Sequence, residues 1–139
     1  MDISWKYVKA LKKESLVDDF LDREGIRLPD QLKEIIKKQN GGRPSETSII
    51  TSDGKEHVFQ SLLSYNANDP ETVYDAYDSY FRGKSCFPIG TDPAGNFICF
   101  DTEEGSFVFF DHESEKGIRI RSIRFMPWAV SGASSAPSA

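Results

Sequence analysis

Trp5, Val8 and Leu11 recur at three-residue intervals, which predicts a short helix within the first thirteen residues with those side chains on one face. Ser15 and Asp18 have capping-box spacing, so a second helix is expected to start there. It carries Val17, Phe20 and Leu21 inward and stops at Gly25, a residue suited to a left-handed helix end. Leu28-Pro29 opens a third helix, because proline is tolerated in the first turn. Leu32, Ile35 and Ile36 follow at helical spacing, and Asn40-Gly41-Gly42 closes it.

The period then changes. Glu46 to Thr51 predicts a strand, and Asp53-Gly54 is a two-residue hairpin signal before a second strand over Glu56 to Phe59. A further helix is expected from Asp69-Pro70-Glu71, with Asp69 as its N-cap and an end near Gly83. Val73, Tyr77 and Tyr80 share one face of it, while Glu71, Asp75 and Asp78 share the opposite one. The strongest β signal comes next. Residues 96–100 and 106–110 are apolar runs joined by the Asp101 to Gly105 loop. Strands apolar on both faces belong in the centre of a covered sheet, so Phe97, Ile98, Cys99, Phe107 and Phe109 are expected to be buried. Ile118 to Arg121 alternates with period two, and the alternation slips after Arg121, where a bulge or a strand end would let Ile123 and Phe125 take the face that Arg119 and Arg121 held. The chain reads as α+β: N-terminal helices followed by one mostly antiparallel sheet with helices packed against it.

Length and composition narrow the class. The 139 residues suit one domain, over 1–128, which buries about two-thirds of its unfolded surface. Residues 129–139 are a Ser, Gly and Ala-rich stretch that reads as a flexible tail. Lys and Arg number 17 against 22 Asp and Glu, a net charge of −5 that disfavours nucleic acid and anionic membranes and favours basic partners. No apolar run reaches the length of a membrane span, and Met1-Asp2-Ile3-Ser4-Trp5 lacks a signal-peptide pattern, so a cytoplasmic protein is expected. Cys86 and Cys99 are expected to be buried, reduced thiols, and the two Cys and two His form no zinc signature.

Candidate chemistry is sparse. Gly83-Lys84-Ser85 ends like a phosphate loop, but a glycine is missing where Asp78 stands, and the segment follows a helix where the motif follows a strand. Asp111-His112-Glu113 places alternate side chains on opposite faces of a strand end and reads as a solvated end with local hydrogen bonds. Arg119, Arg121 and Arg124 read as a charged strand edge that discourages sheet pairing. No motif marks a catalytic residue, a metal site or a cofactor. Glu71, Asp75 and Asp78, together with Asp101, Glu103 and Glu104 of the loop, are the candidate partner-binding residues, a negative surface suited to capturing a basic protein.

The order of several stretches resembles the SUKH superfamily, which includes yeast cell-wall-synthesis regulators and many bacterial immunity proteins. Leu28-Pro29 opening a helix and Asn40-Gly41-Gly42 closing it are two of them. Phe87-Pro88-Ile89-Gly90-Thr91-Asp92 before Gly95-Asn96 is the third, and Val108-Phe109-Phe110-Asp111-His112-Glu113 is the fourth. Glycine at 90 and 95 would permit backbone angles closed to other residues, and Asp92 and Asn96 would satisfy loop amides. The resemblance implies a non-enzymatic immunity protein that neutralises a cognate toxin, often a nuclease, or alternatively a regulatory scaffold that binds cellular proteins. One departure stands out: the family finishes with an amphipathic helix, and Pro127 argues against a long helix there.

Overall fold

The computed structural model of the chain describes residues 3–126. The predicted tail and the Pro127-Trp128 departure lie outside the described residues. Helices α1 (Leu16–Glu24) and α2 (Asp30–Lys38) form where their periodicity predicts them. Val17, Phe20, Leu21, Leu32 and Ile36 are buried on their inner faces. Gly25, at φ 70°, ends α1 in a left-handed turn, and the Ile26 N–H reaches back to the Leu21 carbonyl at 2.9 Å. The Ser15 hydroxyl makes no capping bond, so the predicted capping box does not form. Lys37 Nζ bonds Asp18 Oδ2 at 2.7 Å and ties the two helices together.

The predicted first helix does not exist. Trp5–Lys6 is instead a strand, β1, paired antiparallel with β2 (Arg43–Pro44), and Tyr7 turns the chain at φ 61°. The backbone of this segment finds distant partners: Lys9 N–H bonds the Asn40 carbonyl at 2.8 Å, and Lys12 N–H bonds Asn66 Oδ1 at 2.9 Å. Trp5 does turn inward, edge-on to Phe125 with ring centroids 5.5 Å apart.

The main sheet has seven strands in the order β4-β3-β9-β8-β7-β6-β5, every neighbouring pair antiparallel. Its members are β3 (Ser48–Thr51), β4 (Glu56–Val58), β5 (Ser61–Leu62), β6 (Cys86–Thr91), β7 (Phe97–Asp101), β8 (Ser106–Asp111) and β9 (Lys116–Ile123). β8 takes the central place, and pairing puts Phe97 beside Phe110 and Ile98 beside Phe109. Alternation then gives two apolar faces. On one, Phe110 and Phe97 meet Phe81 at 4.8 and 5.4 Å between centroids. On the other, the His57 ring stacks on Phe109 at 4.0 Å. Ile98, Cys99, Phe107 and Phe109 are buried as expected, and Phe97 is half-buried.

Of the two alternatives at Arg121, a bulge or a strand end, β9 shows the bulge and runs on to Ile123. Ile50 pairs with Ser122 and Thr51 with Ile120, which leaves Arg121 as the extra residue. Ile120, Ile123 and Phe125 are all buried as a result. β9 is nevertheless an interior strand, between β3 and β8, so Arg119, Arg121 and Arg124 do not guard a sheet edge. All three are exposed, and Arg124, just past the strand, pairs with Glu46 at 3.2 Å.

The helix expected from Asp69 starts later. α3 is Val73–Ala76, capped by Thr72, whose side chain accepts from the Asp75 N–H. It continues as a π-helical segment, Tyr77–Phe81, closed by a bond from Arg82 N–H to the Tyr77 carbonyl at 2.8 Å. The wider turn rotates Phe81 into the core and leaves Tyr80 half-buried.

Candidate interaction surface

Four polar side chains hold the segments around α3 in place. Asn40 is fully buried: its Nδ2 donates to the Lys9 carbonyl at 2.8 Å and to Ser64 Oγ at 3.0 Å, and its Oδ1 accepts from Tyr65 N–H at 2.8 Å. Asn66 Nδ2 donates to the Ala10 carbonyl and to Asp69 Oδ2. Ser64 Oγ donates to Asp69 Oδ2 at 2.6 Å. Asp69 is therefore not a helix cap. The Ser64 hydrogen bond, chiefly, holds its carboxyl below the usual carboxylate range, with Asn66 and the charges of Lys9 and Lys12 adding to it.

The Asp92 to Asn96 loop is a second such knot. Asp92 Oδ1 accepts from the N–H groups of Ala94 and Asn96 at 2.9 and 2.7 Å. Asn96 Oδ1 in turn accepts from His112 N–H at 3.1 Å and lies 2.8 Å from His112 Nδ1. Gly95 has φ 87°, as a left-handed position requires. Gly90 is different. Its backbone is not left-handed, and it is glycine because Phe59 fills the space a side chain would need. Asp111 Oδ1 accepts from the Glu113 N–H at 2.9 Å, and among the described residues no group of three or more His, Cys, Asp or Glu could hold a metal ion. Cys99 is buried and Cys86 half-buried, both free thiols whose titration burial pushes upward.

The six candidate carboxylates do not form one patch. Asp101 pairs with Cys86 at the start of β6, whereas Glu71 and Asp75 share a pocket wall with Thr91 at its end. Cys86 and Thr91 stand at opposite ends of β6, five residue steps or roughly 17 Å of strand apart. Asp101 is committed to its own turn, where Oδ1 accepts from the N–H groups of Glu103 and Glu104 at 2.9 and 3.1 Å. Asp78 is committed to Arg82, which also bonds Glu24 at 3.0 Å and lies over the Tyr77 ring at 4.8 Å. Glu71, Asp75, Glu103 and Glu104 remain exposed, with no side-chain ion pair among the described residues.

Several concavities adjoin these groups, among them one of about 200 Å³ beside Asp69 and Glu71. A broad groove of about 780 Å³ runs between the α1–α2 turn and the end of β7, with Leu21, Ile26, Leu28, Phe100 and Thr102 in its wall. A smaller pocket of about 240 Å³ lies between α3 and the β6–β7 turn. The carboxylates at the rim of the pocket beside α3 were legible in the sequence but its walls were not, because Leu63, Thr91 and Phe97 come from separate segments of the chain.

A seven-stranded antiparallel sheet with a helical pair, a short third helix and the two loop knots defines an α+β domain of the kind the motifs suggested. The chain belongs to the SMI1/KNR4 family (SUKH-1), whose family model matches residues 13–123. It is similar to the SPbeta prophage-derived uncharacterized protein YokK of Bacillus subtilis (strain 168), 29% identical over 109 residues covering 64% of this chain and 56% of that protein. A 72-residue stretch is 36% identical to the DNA mismatch repair protein MSH2 of Saccharomyces cerevisiae, covering 52% of this chain but 8% of that protein. The chain thus spans about half of the first relative and a small part of the second. No solved structure matches it. Among the described residues no helix is long and apolar enough to cross a membrane.

Proposed function

We propose that the chain is an immunity protein, which binds one cognate, basic, nuclease-like toxin in the cytoplasm and blocks it without catalysing a reaction. The observation that carries this reading is membership of the SMI1/KNR4 family in a chain that keeps exposed carboxylates free of internal ion pairs. Toxins that act on nucleic acid need basic surfaces to hold phosphate, and a negative inhibitor can occupy the same ground. Glu71 and Asp75 on one side, and Glu103 and Glu104 on the other, are the groups free to do so. The prophage origin in the name of the Bacillus relative is in keeping with a gene used in conflict.

The test is to co-express the chain with the toxin domain encoded beside it, scoring survival, and to mix the purified proteins on a sizing column. Protection together with a one-to-one complex supports the proposal. Failure of both overturns it and favours the regulatory scaffold. Turnover of nucleic acid, nucleotides or esters by the purified chain would overturn the non-catalytic assignment.

A further inference from the structure

The pocket between α3 and the β6–β7 turn combines three chemistries in one small volume. Its rim holds the exposed carboxylates of Glu71 and Asp75. Leu63, Ala76, Tyr80 and Phe97 supply apolar wall, and the Tyr80 and Phe97 rings, 5.5 Å apart, are both half-buried. Thr91, 5% exposed, completes the wall, and its hydroxyl has no hydrogen-bond partner. A buried hydroxyl left without a partner is costly. Thr91 lines the pocket, so a donor bound there would offer its hydroxyl the partner it lacks.

A volume of about 240 Å³ suits a single long side chain. Carboxylates at the rim call for a cation, and an apolar wall calls for an aliphatic stem behind it. Aromatic faces favour a guanidinium over an ammonium, since the planar group stacks on rings and can bond two carboxylates at once. We propose that this pocket receives one arginine side chain of the partner protein, its stem against Leu63 and Ala76, its guanidinium between Glu71 and Asp75. The inference deepens the immunity reading and rests on it for the identity of the partner, though not for the chemistry of the pocket.

Amide-resolved NMR titration of the full chain with capped Gly-Arg-Gly tests it, with Gly-Lys-Gly and Gly-norleucine-Gly as controls. Saturable shifts are expected at Ala76, Thr91, Gly95 and Phe97, with a dissociation constant on the order of 1–10 mM for one anchor side chain. Norleucine, and the arginine peptide with the Glu71→Gln/Asp75→Asn variant, should each bind at least about tenfold more weakly. Thr91→Val should weaken arginine binding about two- to fivefold without lowering the melting temperature, since it replaces an unpartnered hydroxyl by a methyl group. Equal binding of norleucine, tighter binding of lysine, or shifts centred on Glu103 and Glu104 would overturn the assignment. With the toxin, Glu71→Gln/Asp75→Asn should weaken the complex at least about tenfold. Unchanged toxin affinity would overturn docking at the pocket while leaving the immunity reading intact. If the wild-type chain binds no toxin, the immunity reading falls and the peptide titration alone decides the pocket.

Discussion

Phe59 occupies the space in which a side chain at Gly90 would begin: a Cβ there would stand 2.5 Å from two carbons of its ring and 2.7 Å from the Ser61 carbonyl oxygen. The Phe59 ring is fully buried and packed against Phe125 at 4.5 Å, so it has little room to withdraw. Gly90→Ala is therefore expected to destabilise the fold by about 1–3 kcal/mol through overpacking. Urea unfolding measures this. Combining it with Phe59→Leu should recover part of the loss, because the two sites are in contact. Additive costs would show that the ring is not the obstacle.

Phe109 lies in the central strand, beneath the His57 ring and beside Ile98. Phe109→Ala should cost about 3–5 kcal/mol, a large share of the roughly 5–15 kcal/mol available to a small domain. Loss of soluble protein or a steep fall in melting temperature is the expected result. A soluble variant with the wild-type melting temperature would contradict the central placement of β8.

Asp69 gives the fold an acid-sensitive joint. Its carboxyl titrates below the ordinary value because Ser64, and then Asn66, donate to the ionised form. A depressed folded pKa contributes stability that is present above the unfolded value, about 3.9, and lost as pH falls through the folded one. The wild-type melting temperature should therefore drop more steeply below about pH 4 than that of Asp69→Asn. Parallel curves for the two proteins would show that the Ser64 bond is not sensitive to this charge.

Much of the fold could be read locally, and the failures share a cause. α1, α2, the β7–β8 hairpin and the slip in alternation after Arg121 are each set by side chains near in sequence, so periodicity and turn residues announced them. The first thirteen residues carry helical spacing, but the Lys9 and Lys12 amides are satisfied by Asn40 and Asn66, 31 and 54 residues away. No window along the chain contains that information. Asp69 has ideal capping chemistry and is drawn off by Ser64 instead, leaving Thr72 to cap. At the candidate surface, type and exposure of Glu71, Asp75, Glu103 and Glu104 were legible. The capture of Asp78 by Arg82, which also holds Glu24, and the turn duty of Asp101 depend on folded geometry.

The Glu103–Glu104 turn offers a test of electrostatic capture apart from the pocket. Reversal of both to Lys should leave the melting temperature nearly unchanged, since exposed substitutions usually cost within about 0.5 kcal/mol. Association with a basic toxin should slow by several-fold to about tenfold at low salt, and its salt dependence should flatten. Stopped-flow rates at several ionic strengths check this. A wild-type rate at low salt would mean that this turn takes no part in steering.

The place of β9 between β3 and β8 has a consequence for how the chain comes into being. Residues 116–123 are the partner that both neighbours need, and they are synthesised after both. Until they emerge, β3 and β8 each present an open row of backbone donors and acceptors, with Ile49 and Phe109 beside them. A nascent chain halted before residue 116 thus carries two adhesive edges, and the β3–β4 hairpin has no place to dock. Arrival of one late strand closes both edges together and joins the early hairpin to the four-strand meander, so the final assembly step waits on contacts far apart in sequence.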